Sequence, residues 1–133
     1  MRTIRDSSLS ISSTLKSTPK IDGVLFESIK DKSLGKDYDL SLVFVGQALG
    51  RRLNREHRGK DYTTDILSFP LDKKNGEMFI NPDKARSKAK EFGKTFSNYL
   101  IFIFIHGVIH LKGFDHGSRM EAEEARVRAF FNI

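Results

Sequence analysis

Residues 95–116 read TFSNYLIFIFIHGVIHLKGFDH, and this stretch decides the fold that the sequence predicts. Its apolar first half has no helical period, and its aromatic and β-branched residues also favour a strand. We predict a helix over residues 95–112, because this length exceeds that of a typical strand and glycine occurs only at 107 and 113. A helix that is apolar on all sides is a buried one, so this segment should form the centre of the domain.

Three of the four histidines of the chain lie close together in this stretch. His106 and His110 are four residues apart and so share one face of a helix, with Cβ atoms about 6 Å apart. Gly113 suits the left-handed residue after a helix end, and a sharp turn there would return His116 toward the other two. The spacing predicts a three-histidine metal site with an open fourth position, the arrangement of catalytic zinc. The alternative is a network of hydrogen-bonded core histidines.

Composition limits the classes of protein that this chain can represent. We interpret its 133 residues as a single domain, residues 1–133, with no cysteine for disulfide bonds or thiolate ligands. Basic residues outnumber acidic ones by 23 to 17, a net charge of +6, which favours a polyanionic partner such as nucleic acid. The first residues lack the apolar core of a secretory signal, and no apolar run reaches the ~20 residues of a membrane-spanning helix. We therefore expect a cytoplasmic protein without membrane association.

The other segments predict an α+β domain, with a small mixed sheet of about four strands packed around the buried central helix and with flanking helices. Strands are predicted at residues 2–5, 39–45, 66–71 and 78–80, and residues 7–18 are interpreted as a polar connection. The last two strands should form a hairpin through residues 73–76, where Asn-Gly is a strong turn signal, and Pro70 indicates an edge or an irregularity. Flanking helices are predicted at residues 19–34, 47–58, 84–92 and 118–133, the last with a capping box from Ser118 to Glu121.

The helix predicted over residues 47–58 carries a basic face. Arg51, Arg55 and Arg58 lie within about 60° of one another, opposite an apolar stripe, and Lys60 follows the helix. By itself such a face is commonly a solvated surface. Beside a metal site the same face would bind phosphate, and Arg58 is the best single candidate because its planar guanidinium matches phosphate oxygens.

The chemistry of the metal site depends on the groups beside its ligands. In the zinc protease helix, H-E-x-x-H, the glutamate after the first histidine is the general base, and here that position is Gly107. Phosphodiester cleavage needs positive charge more than it needs a base, because a ribose 2′-hydroxyl can be the nucleophile. Asp65 and Asp115 are candidates to orient the metal ligands by hydrogen bonds or to cap helices, although Asp65 could equally be an ordinary turn residue.

The motif HGVIHLKGFDH at residues 106–116 resembles the signature of the YbeY family of ribosomal RNA maturation factors, which are metal-dependent endoribonucleases. Further matches follow in the same order: Leu53-Asn54 with RGKD at residues 58–61, TDILSFP at residues 64–70, Gly76-Glu77, and the Met-Glu segment at residues 120–124. The resemblance covers about residues 39–133. The chain departs from the family pattern at His57, Thr63 and Phe114, where the family usually has tyrosine, proline and tyrosine.

This resemblance implies an α+β fold in which His106, His110 and His116 bind one zinc ion per chain and Arg58 acts in an RNA cleft. It also implies cleavage of single-stranded RNA, processing of ribosomal RNA that includes maturation of the 3′ end of 16S ribosomal RNA, and association with the small ribosomal subunit. His110 and Arg58 would then be catalytic. Arg51, Arg55 and Lys60 would help Arg58 to bind RNA.

Two other functions stand beside this one. A non-catalytic ribosome assembly factor would hold a structural zinc, which normally has four protein ligands, so a fourth ligand such as Asp115 would favour it. A metal hydrolase with another substrate would require a carboxylate base near the open position, and Glu77 is the candidate. The metal itself is not fixed by the ligands, since three imidazoles also accept nickel, cobalt or copper.

Overall fold

A five-stranded mixed sheet with five helices forms the fold, in a computed structural model that describes residues 2–6 by their backbone and residues 8–133 in full. The strands are β1 (Arg2–Asp6), β2 (Leu9–Ser13), β3 (Asp39–Phe44), β4 (Ile66–Asp72) and β5 (Asn75–Ile80). The helices are α1 (Gly23–Leu34), α2 (Gln47–Arg58), α3 (Pro82–Glu91), α4 (Phe96–Leu111) and α5 (Ser118–Phe131). The strand order is β1-β2-β3-β5-β4, with β3 parallel to both neighbours and the two outer pairs antiparallel.

The predicted α+β class, mixed sheet and buried central helix are confirmed. The sheet has one strand more than we predicted, because β2 lies in the serine-rich segment that we interpreted as a polar connection. Leu9 and Ile11 of β2 are buried, and the strand is hydrogen-bonded on both sides, to β1 and to β3. Because β2 is an interior strand, its serines, with Ser12 and Ser13 buried, occupy positions at which a more apolar sequence is usual.

The central helix, α4, contacts α1, α3, α5 and β4. Thr95 caps its N-terminus by accepting a hydrogen bond from the backbone N–H of Asn98, at 3.1 Å. At its C-terminus Gly113 has a φ of +110°, and its N–H donates to the carbonyl of His110 at 2.9 Å. The next N–H, of Phe114, donates to the carbonyl of Ile109 at 3.3 Å, which completes a Schellman ending. The chain therefore turns sharply after α4, as the glycine predicted.

The β4–β5 hairpin is tighter than the sequence predicted. Asn75 and Gly76 belong to β5, where they pair with Asp72 and Pro70, so the connection is Lys73-Lys74 and the Asn-Gly pair is not the turn itself. The register shifts between Pro70 and Asp72, which confirms the irregularity predicted at this proline, and β4 is an edge strand. Gly76 serves a different purpose, because a Cβ there would overlap the Tyr38 hydroxyl.

Two helix starts differ from those predicted. The helix predicted from residue 19 begins at Gly23, where the side chain of Asp22 accepts a hydrogen bond from the N–H of Leu25 at 3.1 Å. Ser118 is the first residue of α5 and Gly117 its N-cap, so the predicted capping box does not form. A capping box requires its serine at the N-cap position, directly before the first helical residue, whereas Ser118 is itself the first residue of the helix.

Two other helices stay close to their predicted limits. α2 spans the predicted residues 47–58, and α3 begins two residues earlier than predicted, after the N-cap Asn81. In the described part of the chain no single helix has the length and apolarity to cross a membrane. Taken together, α3 and α4 have sufficient length and apolarity, but the chain bends by 106° between them.

Candidate active site

Three histidine side chains meet where α4 ends. His106 and His110 project from α4, and the turn at Gly113 returns His116 to them. Their ligand nitrogens all lie within 4.8 Å of one another, and the Nε2 atoms of His110 and His116 are 3.1 Å apart. Two nitrogens bound tetrahedrally to one zinc ion, each at about 2.05 Å, are separated by about 3.3 Å. The three side chains therefore fit a single shared metal ion.

Hydrogen bonds at the other ring nitrogen orient two of these histidines. Nδ1 of His106 lies 3.1 Å from Oε1 of Glu124, and Nδ1 of His110 lies 3.0 Å from the backbone oxygen of Phe114. Both partners accept hydrogen bonds, so each Nδ1 carries the proton and each Nε2 keeps its lone pair for a metal.

Glu124 is the functional residue that our sequence reasoning missed. It lies on α5 and is 5% exposed, although from the sequence we named it only as part of the Met-Glu segment at residues 120–124. A signal was available, because Met120, Glu124 and Val127 are spaced to share one helix face and the two apolar residues are buried. A carboxylate on the apolar face of a helix requires a buried partner, and here the partner is a metal-ligand candidate.

Burial lowers the pKa of His110, and the neighbouring rings of His106 and His116 lower it further, against the opposing effect of the Phe114 carbonyl. A lowered pKa keeps the imidazole neutral at physiological pH. The neutral form is the one that binds a metal ion.

A cleft extends from the three histidines between α2, β4, α3 and α4. Arg58, the last residue of α2, lines it together with His106, His110 and His116. Arg51 instead makes a two-point ion pair with Asp61, with nitrogen–oxygen distances of 2.9 and 3.0 Å. The structure therefore places Arg58 in the lining of the cleft that holds the histidines, and it places Arg51 outside that lining.

Two further basic residues also lie outside the lining of this cleft. Arg55 is 3.5 Å from Asp61, the same carboxylate that Arg51 binds, and Lys60 is exposed beyond the end of α2. With Arg51, these residues form a basic surface outside the cleft lining.

The three acidic candidates have different positions. Asp65 lies in the cleft, where its Oδ2 accepts a hydrogen bond from the Tyr99 hydroxyl at 2.5 Å. Asp115 is exposed in the loop before His116 and, among the residues that the structure describes, is outside the group that could hold a metal. Glu77 alternates along β5 with Met78, which packs against α4, so its side chain projects from the opposite face of the sheet.

Gly107 lies on the side of α4 that faces the sheet. A Cβ there would lie 2.7 Å from Met78 Cε and from Ser68 Oγ, and 2.9 Å from Ile66 Cδ1. A glutamate at this position would have to displace these contacts with the sheet. The difference from the zinc protease helix is therefore a difference in how the helix packs.

The fold and the site define an α+β protein with a candidate metal site and an anion-binding group. The metal site combines two histidines of a buried helix with a third beyond a glycine turn, and the anion-binding group is an arginine in the same cleft. The sequence profile of the family described as "Endoribonuclease YbeY" matches residues 3–129. The chain belongs to the YbeY endoribonuclease family, and the resemblance stated from its motifs is confirmed.

Individual relatives agree with this assignment. A protein named Endoribonuclease YbeY from Thermodesulfovibrio yellowstonii is 40% identical over 94% of this chain and 86% of its own length. One of the same name from Alkaliphilus metalliredigens is 36% identical over 81% of this chain and 77% of its own. The solution structure of TM1509 from Thermotoga maritima is similar with a TM-score of 0.61 and 27% identity, over 93% of this chain and 91% of that one.

Proposed function

We propose that this protein is a metal-dependent endoribonuclease that cleaves single-stranded RNA. The observation that carries the proposal is that one cleft contains both the three-histidine group and Arg58. A metal ligand set and a phosphate-binding group are the two components that phosphodiester cleavage needs to stabilise negative charge. Membership of a family of endoribonucleases supports RNA as the substrate.

Each residue of the site has a definite task in this proposal. His106, His110 and His116 would hold the metal ion, which would supply Lewis acid chemistry when bound. Arg58 binds phosphate oxygens through two of its N–H groups and stabilises the charge that develops on them. Glu124 fixes the ring of His106, and the Phe114 carbonyl fixes that of His110.

The two alternative functions receive less support. A structural zinc normally has four protein ligands, whereas the group formed by the described residues has three members, as catalytic sites do. A hydrolase of another substrate needs a carboxylate base at the open position. Glu77, the candidate for that base, belongs to the far face of the sheet.

We further propose zinc as the metal, one ion per chain, since three imidazoles and an open position are a common catalytic zinc set. We propose ribosomal RNA as the physiological substrate, with maturation of the 3′ end of 16S ribosomal RNA and association with the small ribosomal subunit in the cytoplasm. The net charge of +6 suits a partner that presents many phosphates.

The decisive experiment compares the wild type with His110→Ala and Arg58→Ala on single-stranded ribosomal RNA, with bound metal measured for each protein. We expect His110→Ala to lose both metal and cleavage. We expect Arg58→Ala to keep its metal and to lose about a hundredfold or more in cleavage rate, because an unmatched phosphate charge costs several kcal/mol.

Arg52→Ala is the matched control for Arg58, because Arg52 lies on the same helix, 3.9 Å from Glu56, and outside the cleft lining. It should cleave as the wild type does. Normal cleavage by Arg58→Ala would refute its phosphate role, and full activity of chelated wild-type protein would refute a catalytic metal.

A further inference from the structure

The far part of the cleft is aromatic, in contrast to the end that holds the histidines. Phe92, at the C-terminal end of α3, lines it and is 58% exposed. The ring of Tyr99 lies nearly parallel to that of Phe92, with an interplanar angle of 14° and centroids 6.1 Å apart. An exposed phenylalanine ring beside a basic cleft offers an aromatic face to an unpaired base.

A carboxylate lies against the hydroxyl of Tyr99. Asp65 lines the same cleft and is held by Tyr99, whose hydroxyl donates to Oδ2 at 2.5 Å. Its other oxygen, Oδ1, lies 3.4 Å from the Thr64 hydroxyl, a long contact that leaves acceptor capacity on that oxygen. A carboxylate repels phosphate, but it can accept a hydrogen bond from the amino group of a base.

We propose that this part of the cleft is a nucleobase subsite, in which Phe92 stacks on one unpaired base and Asp65 accepts a hydrogen bond from its exocyclic amino group. The inference rests on the proposed function and specifies which substrate bases that site selects. Arg58 and Lys88 line the same cleft and would bind the phosphates that flank the stacked base.

The contact with Asp65 predicts which bases fit. Cytosine presents the N4 amino group as a donor, whereas uracil presents the O4 oxygen, an acceptor, at the same ring position. Two acceptors facing each other repel, so the subsite should favour cytosine over uracil. The two bases otherwise have the same size and stacking surface, which makes them a matched pair of ligands.

The stacking role is tested by fluorescence anisotropy with the metal-loaded protein and short single-stranded oligonucleotides. These carry 2′-O-methyl groups, and gel analysis after the titration verifies that they stay intact. Phe92→Ala should weaken binding of oligocytidylate about tenfold, and Phe92→Leu, which keeps apolar volume without a ring, should also weaken it. Phe130→Ala is the control, since Phe130 is 62% exposed on α5 and lies outside this cleft.

The base preference is tested by the same titration with oligocytidylate and oligouridylate. The wild type should favour cytidylate by about tenfold. Asp65→Asn should lose most of this preference, because an amide whose oxygen accepts from Tyr99 turns an N–H donor toward the base. Circular dichroism spectra that match the wild type establish that the variant is folded.

The outcomes separate the subsite from the function on which it rests. A wild type that binds no oligonucleotide overturns the proposed function. The stacking role is overturned if the wild type binds and if Phe92→Ala and Phe92→Leu bind as strongly as Phe130→Ala does. A cytidylate preference that is absent from the wild type, or that Asp65→Asn retains, overturns the hydrogen-bonding role of Asp65.

Discussion

Glu124 and the three histidines form one unit, although only the histidines stand out in the sequence. The carboxylate of Glu124 is almost fully buried and lies 3.1 Å from Nδ1 of His106. It therefore fixes both the tautomer and the direction of a ring that would otherwise rotate about its Cβ. Orientation of this kind raises metal affinity, because the ligand does not lose rotational freedom on binding.

We predict that Glu124→Gln lowers the metal affinity by about 10–100-fold while the protein stays folded. Glutamine is the same size, but its amide accepts a weaker hydrogen bond and adds no negative charge to the ring. Metal affinity is measured by competition with a chelator of known affinity. Glu121→Gln, a change at an exposed glutamate of the same helix, is the control and should bind metal as the wild type does. Equal affinities in the two variants would contradict the role of Glu124.

At the scale of single residues, the sequence predicts what spacing encodes. The i, i+4 histidines and the glycine turn are local features, so they specify the positions of His106, His110 and His116. The position of Arg58 in the same cleft, and that of Glu77 on the far face of the sheet, depend on how distant segments pack. Local sequence patterns do not predict packing between distant segments.

At the scale of elements, a second carboxylate ties α5 to the end of α4. Glu123 is 5% exposed, its Oε2 accepts a hydrogen bond from Lys112 at 2.7 Å, and Arg126 also contacts it. Lys112 directly precedes the Gly113 turn. The tie therefore holds the segment that carries His116 against α5.

This tie predicts a pH dependence of stability. The hydrogen bond from Lys112, with the one from Arg126, lowers the pKa of Glu123. Because the folded-state pKa is below the ordinary one, this stabilisation is present above the ordinary glutamate pKa and is lost as pH falls through the folded-state value. We predict that Glu123→Gln costs about 1 kcal/mol of unfolding free energy at neutral pH, a modest value because both cationic partners are partly exposed.

Urea unfolding of the wild type and of Glu123→Gln, measured between about pH 7 and about pH 3, tests this dependence. The difference between them should shrink toward zero at the acid end. Any loss of bound metal in acid affects both proteins alike and so cancels in the comparison. A difference that stays constant with pH would show that the carboxylate charge does not contribute.

Elements whose identity depends on their neighbours were the ones that the sequence predicted least well. The serines of β2 are typical of a polar connection, yet the strand is hydrogen-bonded on both sides and its Leu9 and Ile11 are in the core. The central helix shows the reverse case. Its β-branched and aromatic residues favour a strand, but its length and complete burial favour a helix, and the tertiary environment decides.

At the scale of the whole molecule, the positive charge is divided into an inner and an outer part. Arg58 lines the cleft, whereas Arg51 and Arg55 share Asp61 on the outer surface. In the pair with Asp61 the charge of the two arginines is partly neutralised. Because neither arginine lines the cleft, we expect them to attract RNA over a distance, at a strength that Asp61 reduces, rather than to contact the reacting phosphate.

We predict that replacing both Arg51 and Arg55 by alanine weakens RNA binding more at about 50 mM salt than at about 200 mM, with a shallower dependence of log K on log salt concentration. The slope should change by up to about 0.7 for each single-strand phosphate contact that is lost. Asp61→Asn should act in the opposite direction, because it releases both arginines. Identical slopes for all three proteins would show that this surface does not meet RNA.

The sequence predicts the architecture of the molecule better than it predicts the number and the limits of its elements. Alternating and helical patterns, together with length, predict an α+β fold with a central buried helix, and the structure has that fold. The hairpin connection, the α5 cap and the fifth strand differ because each is decided by contacts with other parts of the chain. Sequence patterns report which residues prefer burial but not which neighbours bury them.

The edge strand β4 has a consequence for contacts between molecules. An open strand edge can pair with a strand of another chain, which is a common route to aggregation. Here Pro70 lacks the N–H that such pairing needs, and the shift after it interrupts the regular spacing of hydrogen-bonding groups. The lysines of the adjoining turn add like charges that repel a second copy. The same strand that borders the cleft is therefore a poor template for another strand, so the border of the cleft resists edge-to-edge aggregation.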